Sequence, residues 1–222
     1  MPLFLMAQFD TKDYRVQTGS AYKVIDGSKH YFNQGNDVLM VKFTKRDIII
    51  QKYDITSGKE VARKEYPSLE KGNSFETILE MGEKYYLIYS SWDKSTETES
   101  LHYMPIDFYK GTIGKSVELM AVKGKLAGTL SSTGFYKFGV ANKYSFHTSF
   151  DESKIMIEYR KKPTKIDDDI SRDVIGIHVF DNEMNKVWGK DVKMPLTEAQ
   201  MNNLDYSVNS KGTVYMLINV FD

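Results

Sequence analysis

The sequence predicts an all-β chain built from repeated four-stranded antiparallel sheets. Three observations predict it. Tyr (15) and Phe (12) join many Val and Ile in short alternating runs, the residue usage and the period of β-strands. Gly, Asn, Asp and Ser bound those runs where turns belong. One strand–turn–strand order also recurs along the chain, and serial repetition of a small antiparallel sheet is the signature of a β-propeller.

The first recurring unit is a strand, a polar turn and a strongly apolar strand. It occurs as "FETILEMGEKYYLIYSS" (75–91), "YSFHTSFDESKIMIEYR" (144–160) and "LDYSVNSKGTVYMLIN" (204–219), with a weaker copy in "KHYFNQGNDVLMVKFT" (29–44). The second unit is a strand ending in an apolar residue and Asp, then a turn and another strand. Its copies are "IIIQKYDITSGKEVARKEYP" (48–67), "LHYMPIDFYKGTIGKSVELM" (101–120) and "IGIHVFDNEMNKVWGKDVKMP" (175–195). Asp54, Asp107 and Asp181 hold equivalent places, and a short acceptor there bonds backbone amides two residues on and starts the reversal.

Together the units give strands a, b, c and d, with b strands beginning near Leu39, Tyr85, Ile155 and Val214. Blades are expected at about 29–67, 74–120, 144–195 and 204–222, within one incomplete propeller domain spanning 9–222. Thr197 is expected to cap a single helical turn. Residues 1–8, "MPLFLMAQ", suit a signal-peptide remnant or an apolar tail.

"TSFDESKIMI" resembles the a–b turn of the WD40-like repeats in TolB-type propellers, where Ser, Asp and Lys precede an apolar strand. "VNSKGTVYML" is a looser version. Phe150 stands where such turns often carry Pro, and Glu152 where they often carry Gly. The resemblance covers about three and a half blades and implies a fold without an activity.

Balanced charge, 30 Lys and Arg against 30 Asp and Glu, argues against a nucleic-acid surface, which needs a basic stripe. The absence of cysteine excludes disulfides and thiolate chemistry. No apolar run reaches the roughly 20 residues of a membrane span. None of His30, His102, His147 and His178 has zinc-protease spacing, and no G-x-S-x-G elbow occurs. Neither a cofactor nor a metal site is expected; the acidic run Asp167-Asp168-Asp169 suits a solvated loop balanced by Lys161, Lys162 and Lys165.

Three connections look long: 92–100 and 161–173 between b and c strands, and 121–143 between d and a. All are expected on one face, and long loops on a rigid scaffold are where recognition sits. The candidate binding residues are therefore Trp92, Asp93, Phe135, Tyr136, Lys161, Lys162, Asp167, Asp168 and Asp169. The expected function is non-catalytic binding of a protein or glycan partner, in an extracytoplasmic setting. The alternative is a propeller-type hydrolase or lyase with its site in the central channel.

Overall fold

The computed structural model describes residues 9–10, 15–16, 27–44, 47–134, 137–162 and 172–221. These residues are all-β, without a helix. The strands begin with β1 (Phe9–Asp10), β2 (Arg15–Val16), β3 (Ser28–Gln34), β4 (Asp37–Phe43), β5 (Asp47–Asp54) and β6 (Lys59–Pro67). They continue with β7 (Asn73–Met81), β8 (Lys84–Asp93), β9 (Thr98–Asp107), β10 (Thr112–Ile113), β11 (Val117–Lys123), β12 (Thr129–Gly134) and β13 (Lys137–Ala141). The last are β14 (Ser145–Thr148), β15 (Lys154–Arg160), β16 (Val174–Asp181), β17 (Lys186–Lys193), β18 (Met201–Val208) and β19 (Val214–Val220). The repeated module is a four-stranded antiparallel meander, the blade of a β-propeller.

The chain divides into two compact units. The first comprises Met1–Glu70 and Asp107–Ile113. Its sheet has the order β3-β4-β5-β6. Leu39, Met40 and Val41 of β4 and Ile48, Ile49 and Ile50 of β5 are all buried. Because side chains alternate along a strand, three consecutive buried residues mean that both faces are covered. The edge strand β6 instead shows Lys59, Glu60, Arg63 and Glu65 to solvent, charges that keep a free edge from pairing. Within the same unit Gly111, at φ +57°, lies against Ile50 and Leu39.

The second unit comprises Lys71–Ile106 and Gly114–Asp222. One sheet runs β7-β8-β9-β11 and another β14-β15-β16-β17. Two hairpins, β12–β13 and β18–β19, complete it. Ile88, Leu101, Ile155, Ile157 and Phe180 form one core between the sheets, and Met156, Val179, Met194, Met201 and Val208 form another under β18–β19. On the usual scale each such side chain contributes about 1.5–3 kcal/mol on burial.

The a–b turns share one backbone solution. Gly35, Gly82 and Gly212 take positive φ, and so does Glu152 at +56°. The resemblance noted above placed Glu152 where Gly is usual, and here a glutamate adopts the left-handed conformation. Its turn is held by side chains: the Asp151 carboxylate accepts from the Ser149 and Ser153 hydroxyls at 2.7 and 2.9 Å. The c–d reversals use the expected aspartates. Asp54 accepts from Ser57 N–H (2.7 Å), Asp107 from Lys110 N–H (2.8 Å) and Asp181 from Glu183 N–H (2.9 Å). Thr197 carbonyl accepts from Gln200 and Met201 N–H, one turn that leads directly into β18.

Two expected loops are corrected. Residues 92–100 are mostly strand, because β8 runs to Asp93 and β9 begins at Thr98, leaving only a four-residue turn. Trp92 pairs with Glu99 and Asp93 with Thr98. Residues 121–143 are the end of β11 followed by the hairpin β12–β13. Trp and Thr in the first segment, and Val, Leu, Thr and Phe in the second, favour pairing over a solvated loop. No helix among the described residues is long and apolar enough to cross a membrane.

Candidate functional site

After Lys154, strand β15 carries the apolar run Ile155-Met156-Ile157 and ends with Glu158, Tyr159 and Arg160. The polar end flanks a cleft of about 520 Å³ within the second unit. Its walls come from β14 (Ser145, His147), the end of β15 and the middle of β18 (Asn203, Asp205, Tyr206), with Asn142 and Lys143 at one side. A neighbouring cavity of about 470 Å³ shares Arg160 and Asn203 with it. The two therefore adjoin along the Arg160 side chain.

The register explains the placement. Ser145 opposes Glu158 and His147 opposes Met156, which sets Glu158 and His147 two steps apart on adjoining strands. His147 Nε2 lies 3.9 Å from Glu158 Oε1 and makes no hydrogen bond among the described residues. The Tyr206 ring is 5.9 Å from the imidazole. Burial, followed by the Glu158 carboxylate, holds the Tyr206 phenol well above its ordinary range, so it stays protonated and donates to Glu158.

Each basic group lining the cleft is held by acids. Lys143 pairs with Glu99 and lies 3.9 Å from Glu76. Glu76 accepts a short hydrogen bond from the Ser90 hydroxyl, 2.5 Å, and burial raises its carboxyl above the usual range. Arg160 meets Asp173 at 3.3 Å and also pairs with Glu198.

Behind the cleft wall Tyr159 connects to a second polar group. Its hydroxyl donates to Asp191 at 2.9 Å and lies 3.2 Å from His178 Nε2. Lys161 completes the set at 2.6 Å from Asp191. Burial, then Lys186, lowers the His178 imidazole to about 4, so it is neutral at physiological pH. Both rings lie over bare backbone. A Cβ on Gly176 would stand 2.0 Å from the Tyr159 ring, and one on Gly189 would stand 2.4 Å from His178 Nδ1.

None of the described residues singled out from sequence lines this cleft. Trp92 is half-buried in β8. Asp93 accepts from Ser95 N–H and from the Ser95 and Thr96 hydroxyls, and those hydroxyl bonds lower its carboxyl to about 2. It builds a turn. Lys161 is committed to Asp191, and Lys162 extends its side chain to solvent while its N–H meets Lys125 carbonyl at 2.9 Å. Phe135, Tyr136, Asp167, Asp168 and Asp169 lie outside the described residues, Phe135 and Tyr136 between β12 and β13. The residues that sequence reasoning missed are Glu158, Arg160, His147 and Tyr206. Their signal was two charges closing an otherwise apolar central strand, which a fully buried strand does not tolerate without partners.

No protein-family model matches this sequence, and no curated protein matches it. Solved structures do resemble it. The endo-arabinase of Bacteroides thetaiotaomicron aligns over 87% of this chain and 74% of its own, at 15% identity and a TM-score of 0.42. The acylaminoacyl peptidase of Pyrococcus horikoshii aligns over 81% of this chain at 12% identity and a TM-score of 0.37. A prolyl endopeptidase aligns over 85% at 14% identity and a TM-score of 0.37. This chain spans 27% and 26% of those two peptidases. Similarity at this level assigns no activity, and the propeller-type fold rests on the sheet topology itself.

Proposed function

We propose that the chain is a binding module whose second unit takes a glycan in the cleft between β14, β15 and β18. The observation that supports this is the lining. Tyr206 and His147 supply rings, while Asn142, Asn203, Glu158 and Asp205 supply donors and acceptors. A polyhydroxylated ring presents apolar C–H faces and a rim of hydroxyls, and it suits a site with those two kinds of group. The adjoining cavity supports an oligomeric ligand over a single sugar. The finer assignment to the WD40-like, TolB-type repeat is supported by the side-chain-held turn at 149–154. An extracytoplasmic location belongs to the same proposal.

Titration of the chain against an array of oligosaccharides tests this reading. Glycan binding that drops at least tenfold in Tyr206→Ala, with an unchanged melting temperature, is the expected result. Uniform failure across the array would reject the glycan. Release of new reducing ends from a bound glycan would move the protein to the hydrolase class.

A further inference from the structure

We infer that the cleft selects a glycan bearing a protonated amine; the inference rests on the glycan reading above and adds a charge to it. Among the described residues lining the two cavities, Lys143 and Arg160 are the cations. Each already faces two carboxylates: Lys143 has Glu99 and Glu76, and Arg160 has Asp173 and Glu198. Neither ammonium nor guanidinium is left to neutralise a further acid.

Two more carboxylates, Glu158 and Asp205, line the first cavity. Among the described residues no Lys or Arg forms an ion pair with either. Glu158 has an imidazole at 3.9 Å and accepts from the Tyr206 phenol. Asp205 accepts from the adjacent Tyr206 N–H at 2.8 Å. The cleft thus holds an excess of negative charge beside the faces of Tyr206 and His147.

That combination is what an ammonium group recognises. A carboxylate gives it a charge-assisted hydrogen bond, and a neighbouring ring face adds the attraction of its quadrupole. A uronic acid or a phosphate entering the same cleft meets like charge, which excludes it. An N-acetylated sugar keeps the shape but loses the charge. The ligand class is therefore an amino sugar with its amine unmodified.

The test is a calorimetric titration of the 222-residue chain with four probes: a glucosamine tetramer, its N-acetylated counterpart, a tetragalacturonate and a tetralysine peptide. The glucosamine tetramer should bind about tenfold more tightly than the N-acetylated one, the factor that one charge-assisted contact supplies. Raising salt from about 50 to about 300 mM should weaken the amine probe and leave the N-acetylated one unchanged. Glu158→Gln should erase most of the preference. Asp205→Asn, at an exposed position, gives a second variant if Glu158→Gln melts early. Equal affinity for the two tetramers, or tighter binding of the galacturonate, would overturn the charge preference and leave the glycan reading standing. Capture of tetralysine with no glycan bound, or no binding at all, would remove both.

Discussion

The sheets β7-β8-β9-β11 and β14-β15-β16-β17 each stack a tyrosine on a histidine of the next strand, directly opposed in the first and two positions along in the second, and they bury charge by different means. In the first, Tyr89 of β8 stacks on His102 of β9 at 4.9 Å between ring centres. In the second, Tyr159 of β15 stacks on His178 of β16 at 5.7 Å. In the first sheet each member bonds outward to a hydroxyl: Tyr89 to Ser116 at 2.6 Å and His102 to Ser91 at 2.9 Å. Its charges gather elsewhere, around Glu76, Glu99 and Lys143. In the second sheet the pair itself is wired to Asp191 and Lys161.

Glycine makes the difference. Tyr159 opposes Gly176, and His178 opposes Gly189, so both rings lie flat on backbone. In the first sheet Tyr89 opposes His102 and His102 opposes Glu118, so the rings stand among side chains. The lesson is that one repeat position serves a plain structural stack in one sheet and a cleft wall in the other. Cross-strand neighbours decide which.

The comparison can be broken most severely at Lys143. Lys143→Met should cost about 3–5 kcal/mol, because Glu76 and Glu99 stay buried without their cation. Chemical denaturation measures it, and a loss below about 1 kcal/mol would show that this ion group is solvated. Next comes Gly176→Ala, expected to cost about 3 kcal/mol since the new methyl meets the Tyr159 ring. Ser100→Ala, in β9 of the first sheet opposite Ser91, should cost less than about 1 kcal/mol.

The histidines sharpen the contrast through pH. The folded value of about 4 for His178 lies below the ordinary 6.5 of the unfolded chain. The unfolded state therefore binds the proton more readily. Stability from this group is complete above pH 6.5 and is lost as pH falls towards 4, by up to about 3 kcal/mol. His102 is lowered too, chiefly by burial, and acts in the same direction. Urea titrations across this range should show a loss that His178→Gln flattens more than His102→Gln does. A small effect is expected at Asp93→Ala, which removes turn bonds at the surface and should lower the melting temperature only slightly.

Much of the fold was legible because it is local. The polar turns of the a–b units, the aspartates that start the c–d reversals, and the apolar b strands all follow from neighbours a few residues apart. The b strands β4, β8, β15 and β19 start at Asp37, Lys84, Lys154 and Val214, within two residues of the expected positions. The same local reading mistook two paired segments for long loops. Runs such as 92–100 look wet because they are polar, although strand pairing absorbs them.

Sequence by itself determined that the chain is all-β, where it turns and which strands are strongly apolar, because alternation and turn chemistry act over a few bonds. Only the tertiary structure decided the cleft. Lys143 meets a glutamate 44 positions away and Tyr159 an aspartate 32 away, and a period of two residues says which side a residue faces but not what covers that side.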